Sequence, residues 1–261
     1  MDLNLSGKVA LVTAASRGLG KAIATELSQE GAIVIICSRD EAKITNTARE
    51  IQQETGNKVT PFVVNVKVAS DIQNLFHHIK TQYGQLDVLV CNAGGPPSGS
   101  FEAFDDADWQ DAFEMNLLSA VRLVRGGLPL MKDHGGKILT IASISVKTPI
   151  PGLILSNVMR SGVASLMKTL ANDLAPYGIL VNTLCPGRIA TDRVAELDAV
   201  RAENEGKSVA EIRESITGQI PLGRYGRPEE FAKVAAFLAS DANTYVTGST
   251  LMVDGGMVQT I

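Results

Sequence analysis

Short apolar runs alternate along this chain with segments whose apolar positions recur every three or four residues. Residues 9–13 (VALVT), 32–37 (AIVIIC), 59–64, 87–91, 137–141, 179–184 and 250–253 read as strands. The second run is β-branched and shows no polar alternation, as a parallel strand covered on both faces requires. Between these runs a helix opens at Gly18–Leu19–Gly20 and continues to Glu30, and Asp40 caps a second that stops at Gly56–Asn57. Residues 70–83 carry Ile72, Leu75, Phe76 and Ile79 on one stripe, with Gly84 behind them. A long helical stretch is expected over 105–131, another helix over 155–177 before Gly178, and one over 228–239 with Pro228 at its first position. Seven strands separated by helices, without repeat, linker or composition break, predict one domain over 1–261. It is an α/β domain, a doubly wound parallel sheet of about seven strands with helices on both faces. Residues 194–219 interrupt the rhythm, being polar and charged with weak helical periodicity. A segment of this length following the sixth strand is expected to be a lid over a pocket at the strand ends.

Composition narrows the function classes. A 261-residue chain with 45% hydrophobic and 20% charged residues is an ordinary globular protein that can bury a full core. A net charge of −4 argues against a nucleic-acid partner, which calls for a basic face. No apolar run reaches the length of a membrane span, and the opening MDLNLSGK lacks the apolar centre of a signal peptide. Cys37, Cys91 and Cys185 are odd in number and lie in or beside strands, so they read as small core residues in a reducing compartment. His77, His78 and His134 have no cysteine or acid at ligand spacing and read as surface residues, with no metal site. The expectation is a cytoplasmic protein without membrane or nucleic-acid partner.

Candidate chemistry gathers at the strand ends. The first strand runs into Thr13–Ala14–Ala15–Ser16–Arg17–Gly18–Leu19–Gly20 and then a helix, a Rossmann-like arrangement. Its glycines let backbone approach a diphosphate, and the helix N-terminus presents N–H groups to it. An NAD(H) site would carry an acid at the end of the second strand. This chain has Cys37–Ser38–Arg39 there and Arg17 in the turn, two cations that suit a 2′-phosphate, so NADP(H) is expected over NAD(H). After the fifth strand comes Ser143, and Ser156 and Arg160 lie four apart on the next helix, sharing a face. Two hydroxyls and a cation at a strand end form the layout of a proton-transfer site.

These motifs, in this order, resemble the short-chain dehydrogenase/reductase family over nearly the whole chain, with a flavour of its 3-oxoacyl-[acyl-carrier-protein] reductases. The family carries T-G-x-x-x-G-x-G where this chain has TAASRGLG, N-N-A-G where it has Cys91–Asn92–Ala93–Gly94, and P-G with a following Thr where it has Pro186–Gly187 and Thr191. The resemblance implies a cofactor site built from Thr13, Ser16, Arg17, Gly18, Leu19, Gly20, Ser38, Arg39, Asn65, Val66, Asn92, Ala93, Gly94, Arg160, Pro186, Gly187, Ile189 and Thr191. It also implies a dimer or tetramer packed through the 105–131 and 155–177 helices, Leu117, Leu118, Val121, Leu166 and Leu170 included. Asn65 stands where the family has an Asp, and its carbonyl can still accept. Ala14 replaces a Gly, tolerable if the backbone there needs no positive φ.

The larger departure is catalytic. In the family a Tyr exchanges the proton with the substrate oxygen, a Lys four residues on lowers its pKa, a Ser bonds the carbonyl and an Asn supports a water relay. Ser143 and Asn116 match the last two, whereas Ser156 and Arg160 stand at the Tyr and Lys positions. An aliphatic hydroxyl is far less acidic than a phenol of pKa about 10. Lys147, four residues after Ser143, reads as a solvated lysine rather than a substitute acid. Two readings stay open: an NADP(H)-dependent oxidoreductase acting on a carbonyl or acyl small molecule with an altered proton relay, or an NADP(H)-binding or sensor protein that has lost most catalysis. Pro96, Pro97, Ile144, Val146, Pro149, Ile150 and Leu153 suggest an apolar pocket for the first.

Overall fold

Each expected strand forms, and all seven pair in parallel. The computed structural model, which describes residues 2–260, runs in the order β1 (Val9–Thr13), α1 (Gly18–Gln29), β2 (Ile33–Ser38), α2 (Glu41–Thr55), β3 (Val59–Val63), α3 (Ala69–Tyr83) and β4 (Val88–Cys91). It continues through α4 (Asp106–Phe113), a π turn (Glu114–Leu118), α5 (Ser119–Gly127), β5 (Gly136–Ile141), α6 (Ile154–Leu174) and β6 (Ile179–Pro186). It closes with α7 (Asp192–Glu205), α8 (Val209–Thr217), α9 (Pro228–Ala239) and β7 (Thr250–Val253). The sheet order is β3-β2-β1-β4-β5-β6-β7. Strand order reverses between β1 and β4, so the crevice that binds ligands in such sheets opens at their C-terminal ends.

Successive strand residues point to opposite faces, and each face is covered. Val12, Ile36, Val90 and Leu139 pack against Ile23 and Leu27 of α1, Ile44 and Ile51 of α2, and Phe231 and Ala235 of α9. Leu11, Ile35, Leu89 and Ile138 face α3, α5 and α6 through Leu75, Ile79, Leu123, Val163 and Met167. Burying a side chain of this size contributes about 1.5–3 kcal/mol, which is why the unalternating runs are held as central strands. Among the described residues no helix is long and apolar enough to cross a membrane.

Two expectations need correction. The helical stretch 105–131 is not one regular helix, because α4 and α5 are joined by the π turn Glu114–Leu118 and the end is a 3₁₀ turn at Leu128–Leu130. A π turn adds a residue to one helical revolution and tends to occur where a side chain must be re-aimed; Asn116 sits on it. Residues 194–219 also have more structure than their polarity suggested. Thr191 caps α7 by accepting from the Val194 N–H, and Ser208 and Glu211 form a capping box on α8. The two helices close over a small core of Ala202, Ile212, Ile216, Ile220 and Tyr225. Buried Asp198 on α7 accepts from Arg188 Nη1 at 3.0 Å and from the Tyr225 hydroxyl at 2.9 Å. This cluster ties α7 to the chain on either side of it.

Candidate active site

The Gly-rich turn is fastened to the exit of β4. Thr13 Oγ1 donates to the Asn92 carbonyl at 2.6 Å and accepts from the Asn92 N–H at 2.9 Å, and Asn92 Nδ2 donates to the Ala14 carbonyl at 3.2 Å. A Cβ on Gly20 would lie 2.7 Å from that carbonyl and 2.8 Å from Asn92 Nδ2, so only glycine lets the turn close. The condition under which Ala14 would be tolerable is not met, because its φ is +48°, in the left-handed region. That conformation costs an L-residue about 1–2 kcal/mol. Ala14→Gly is therefore expected to stabilise the fold by about 0.5–1 kcal/mol, the relief less the extra chain entropy of glycine. A thermal melt should show a rise of about 1–4 °C.

The turn fits a dinucleotide diphosphate. Arg17, the N-cap of α1, makes no side-chain cap bond, leaving the first N–H groups of α1 without a side-chain acceptor. The Ser16 carbonyl is held by Thr47 Oγ1 at 2.9 Å, and Leu19 packs on the core. Arg17 is exposed but not free, since Nη1 lies 3.1 Å from Glu196 and 3.7 Å from Asp192, both on α7. Arg39 is exposed, and Ser38 Oγ donates to the Asp40 carbonyl at 3.2 Å. Asn65 Oδ1 already accepts from the Lys67 N–H at 3.1 Å, leaving its second lone pair for a ligand; Val66 beside it packs on the core. On the far side Pro186 ends β6 and Gly187 donates its N–H to Val253, while Ile189 is buried. Thr191 stands 3.7 Å from where a Gly18 Cβ would be, so the start of α7 rests on the Gly-rich turn.

The catalytic candidates divide into an intact and an altered half. Asn116 is buried, donates Nδ2 to the Ala112 carbonyl at 3.2 Å, and has no partner for Oδ1 among the described residues. It lines a cavity of about 10 Å³, room for one water, together with Asn92, Thr140 and Arg160. Ser143 is half-buried at the end of β5, and its Oγ accepts from the Ser145 N–H at 3.1 Å. Ser156, half-buried in the first turn of α6, makes no side-chain hydrogen bond among the described residues. Arg160, one turn on, is 8% exposed. Its guanidinium donates Nη1 to the Ile141 carbonyl at 2.6 Å and Nη2 to the Ala93 carbonyl at 3.2 Å, joining the ends of β5 and β4. Burial pushes it down to about 10, with Arg193 pulling the same way; it is still a cation at neutral pH. Two of its five donors are spent on backbone, a use that spacing alone could not reveal.

Sequence reading gave three neighbours no place at the site, although it rightly took one of them, Cys185, as a buried core residue. Cys185, buried under Ser143, has its thiol pushed up to about 11 by burial, and contacts with the Ser143 backbone and Arg160 oppose that rise. Glu196 holds Arg17. Arg193 donates Nη2 to the Pro96 carbonyl at 2.9 Å, closing α7 onto the loop after β4. A cation in the first turn of a helix opposes the macrodipole, and that was the available signal. Of the apolar loop residues, Pro96 and Ile144 are buried, while Pro97 and Pro149 are exposed. Lys147 is exposed, as expected.

Comparison with known proteins agrees with this geometry. The family model described as enoyl-(acyl carrier protein) reductase matches residues 13–258. The 3-oxoacyl-[acyl-carrier-protein] reductase FabG of Haemophilus influenzae is 37% identical over 254 residues, 97% of this chain and 99% of that one. The chain belongs to the short-chain dehydrogenase/reductase family. Among solved members of the family, L-sorbose reductase from Gluconobacter frateurii, complexed with NADPH and L-sorbose, superposes with a TM-score of 0.94 at 32% identity over the full length of both chains. An NADPH-bound short-chain oxidoreductase from Pseudomonas aeruginosa PAO1, described as containing an atypical catalytic center, matches at 28% identity and a TM-score of 0.88 over 97% of this chain and 98% of that one. This short-chain dehydrogenase/reductase is thus an oxidoreductase of the FabG type in family and fold, with Ser156 and Arg160 at the positions where the family resemblance places a Tyr and a Lys.

Proposed function

We propose that this protein is an NADP(H)-dependent oxidoreductase that interconverts a carbonyl and an alcohol through an altered proton relay. The observation that carries the reading is the one-water cavity shared by Asn116 and Arg160 beside the Asn92 wall of the cofactor crevice. It supports a relay path that keeps its buried end although the phenol is gone. When bound, the nicotinamide supplies or accepts the hydride at the carbonyl carbon. Ser143 donates to the substrate oxygen, and the Arg160 cation stabilises the charge that gathers on it as the C=O pair moves to oxygen. The proton completing the alcohol comes from water, through Ser156 or the Asn116 cavity. Residues 194–219 serve as the substrate lid, and two or four copies assemble through α4–α5 and α6, on which Val158 is 49% exposed.

A second reading, a cofactor-responsive protein with little turnover, is favoured by Ser156 alone. Single-turnover oxidation of NADPH with a panel of ketones and 3-oxoacyl thioesters decides between them. Oxidation above solvent background supports the enzyme, and its absence with tight NADPH binding supports the second reading.

Cofactor choice is tested separately by calorimetry. NADPH is expected to bind at least about tenfold more tightly than NADH, one charged hydrogen-bond set being worth about 1.5–3 kcal/mol. Arg17→Ala/Arg39→Ala should remove most of that difference. Tighter binding of NADH by the unaltered protein would overturn the assignment of these two arginines.

A further inference from the structure

Two guanidinium groups from two different helices close on one loop. Arg160 reaches the Ala93 carbonyl from α6, and Arg193 reaches the Pro96 carbonyl from α7, three residues along. The Arg193 fork lies 3.4 Å from where a Cβ on Gly95 would stand, so it covers the loop between those carbonyls.

Carboxylates are scarce around this pair. The chain has no Asp or Glu between Asp87 and Glu102, nor between Asp133 and Asp173, the two stretches that build the loop and the Ser143–Arg160 segment. Arg160 has no ion-pair partner among the described residues. Arg193 has only Glu196, whose Oε2 is 3.7 Å from Nη1 and whose Oε1 is held at 3.1 Å by Arg17. Arg193 thus shares its one carboxylate with Arg17, which also has Asp192 at 3.7 Å, and Arg160 has none. Partly desolvated cations short of counter-charge are unfavourable in the free protein and make a standing site for an anion. Their mutual repulsion adds to burial in lowering Arg160.

We propose that the substrate is an oxo acid or hydroxy acid, whose carboxylate is held by Arg193, with Arg160 adding positive potential behind it, while its carbonyl or hydroxyl faces Ser143 and Ser156. Arg193 is then a specificity-determining residue, with donors left over after Pro96 to take a carboxylate bidentately. The inference rests on the oxidoreductase reading for the reacting end of the substrate, but not for the carboxylate end. An apolar acyl chain alone would leave Arg160 without a counter-charge and Arg193 with only its shared contact to Glu196.

The test compares matched pairs, a 2-oxo or 3-oxo acid against its methyl ester, in NADPH oxidation by the full-length protein. The acid is expected to exceed the ester about 10- to 100-fold in kcat/KM, the range for a charge-assisted bond. Arg193→Met should collapse that ratio to near unity, and Arg193→Lys should keep part of it. In parallel, the acid and the ester are titrated calorimetrically into NADP⁺-loaded protein. If no carbonyl compound is reduced, the oxidoreductase reading fails, yet selective binding of the acid, lost in Arg193→Met, still supports the carboxylate site. An ester that reacts or binds as well as its acid overturns the proposal. So does an Arg193→Met protein with an unchanged acid-to-ester ratio and weakened NADPH binding, which would assign Arg193 to the cofactor diphosphate.

Discussion

Ser156→Tyr combined with Arg160→Lys is expected to raise single-turnover NADPH oxidation by about 10²–10⁴, the range a positioned general acid contributes. The argument starts from acidity. A phenol with pKa about 10, lowered further by an ammonium one turn away, can give up its proton as the oxygen charge develops; an aliphatic hydroxyl cannot match that. Position 156 lies in the first turn of α6, half-buried and without a side-chain partner among the described residues, so a larger side chain meets no bond that it must break. Arg160→Lys is the costlier half. The guanidinium satisfies the Ile141 and Ala93 carbonyls together, and an ammonium on a single stem aims less readily at both. A buried acceptor left short costs about 1–3 kcal/mol, so the double variant should melt about 2–12 °C lower while reacting faster. A variant no faster than the unaltered protein would show that the missing phenol is not what limits the reaction. A fast variant beside an unaltered protein at solvent background would identify the natural chain as a cofactor-binding protein.

The second large effect lies in the two helices that follow β6. Asp198→Ala is expected to destabilise α7 and α8 by about 3–5 kcal/mol, the usual result of removing one partner from a buried pair. Asp198 is 3% exposed and serves both Arg188 and Tyr225, so alanine strands a guanidinium and a phenol at once. Hydrogen exchange should show the amides of Asp192–Glu205 and Val209–Thr217 opening far more readily than those of the sheet. Alkali should attack the same cluster. Burial, and then the bond to Asp198, push the Tyr225 phenol up to about 12. The unfolded chain releases this proton near pH 10. The stabilisation is therefore complete below that pH and is lost as the pH rises towards about 12. Uniform protection across α7 and the sheet in Asp198→Ala would show that the cluster does not anchor the helix.

The two substitutions touch features of very different visibility in the sequence. The strands were legible because runs such as 32–37 must be buried on both faces, a burden that composition records directly. Ser143, Asn116, Asn92 and the Gly-rich turn were placed by their positions after strands and within helices, and Asn92 both borders the cavity beside Asn116 and bonds the turn at Ala14. Helices α7 and α8 were obscured because part of their interior is polar. Asp198 is buried by pairing, and a pattern of apolar residues cannot register an acid in a core. The π turn left no mark because one added residue changes hydrogen-bond register without changing composition. Ala14 misled for a related reason: side-chain identity favours a negative φ there, and the closing of the turn on Asn92 overrides it.

The order β3-β2-β1-β4-β5-β6-β7 also carries a timetable. In the order of synthesis β1, β2 and β3 lie outward in one direction, and the strand that pairs the other edge of β1, β4, begins 75 residues after the end of β1. From β4 onward each strand joins the newest edge in the order of synthesis, so the sheet grows like a row being extended at one end. Unpaired parallel edges wait longest before long crossovers, and those are the intervals in which a nascent chain of this topology is open to wrong partners.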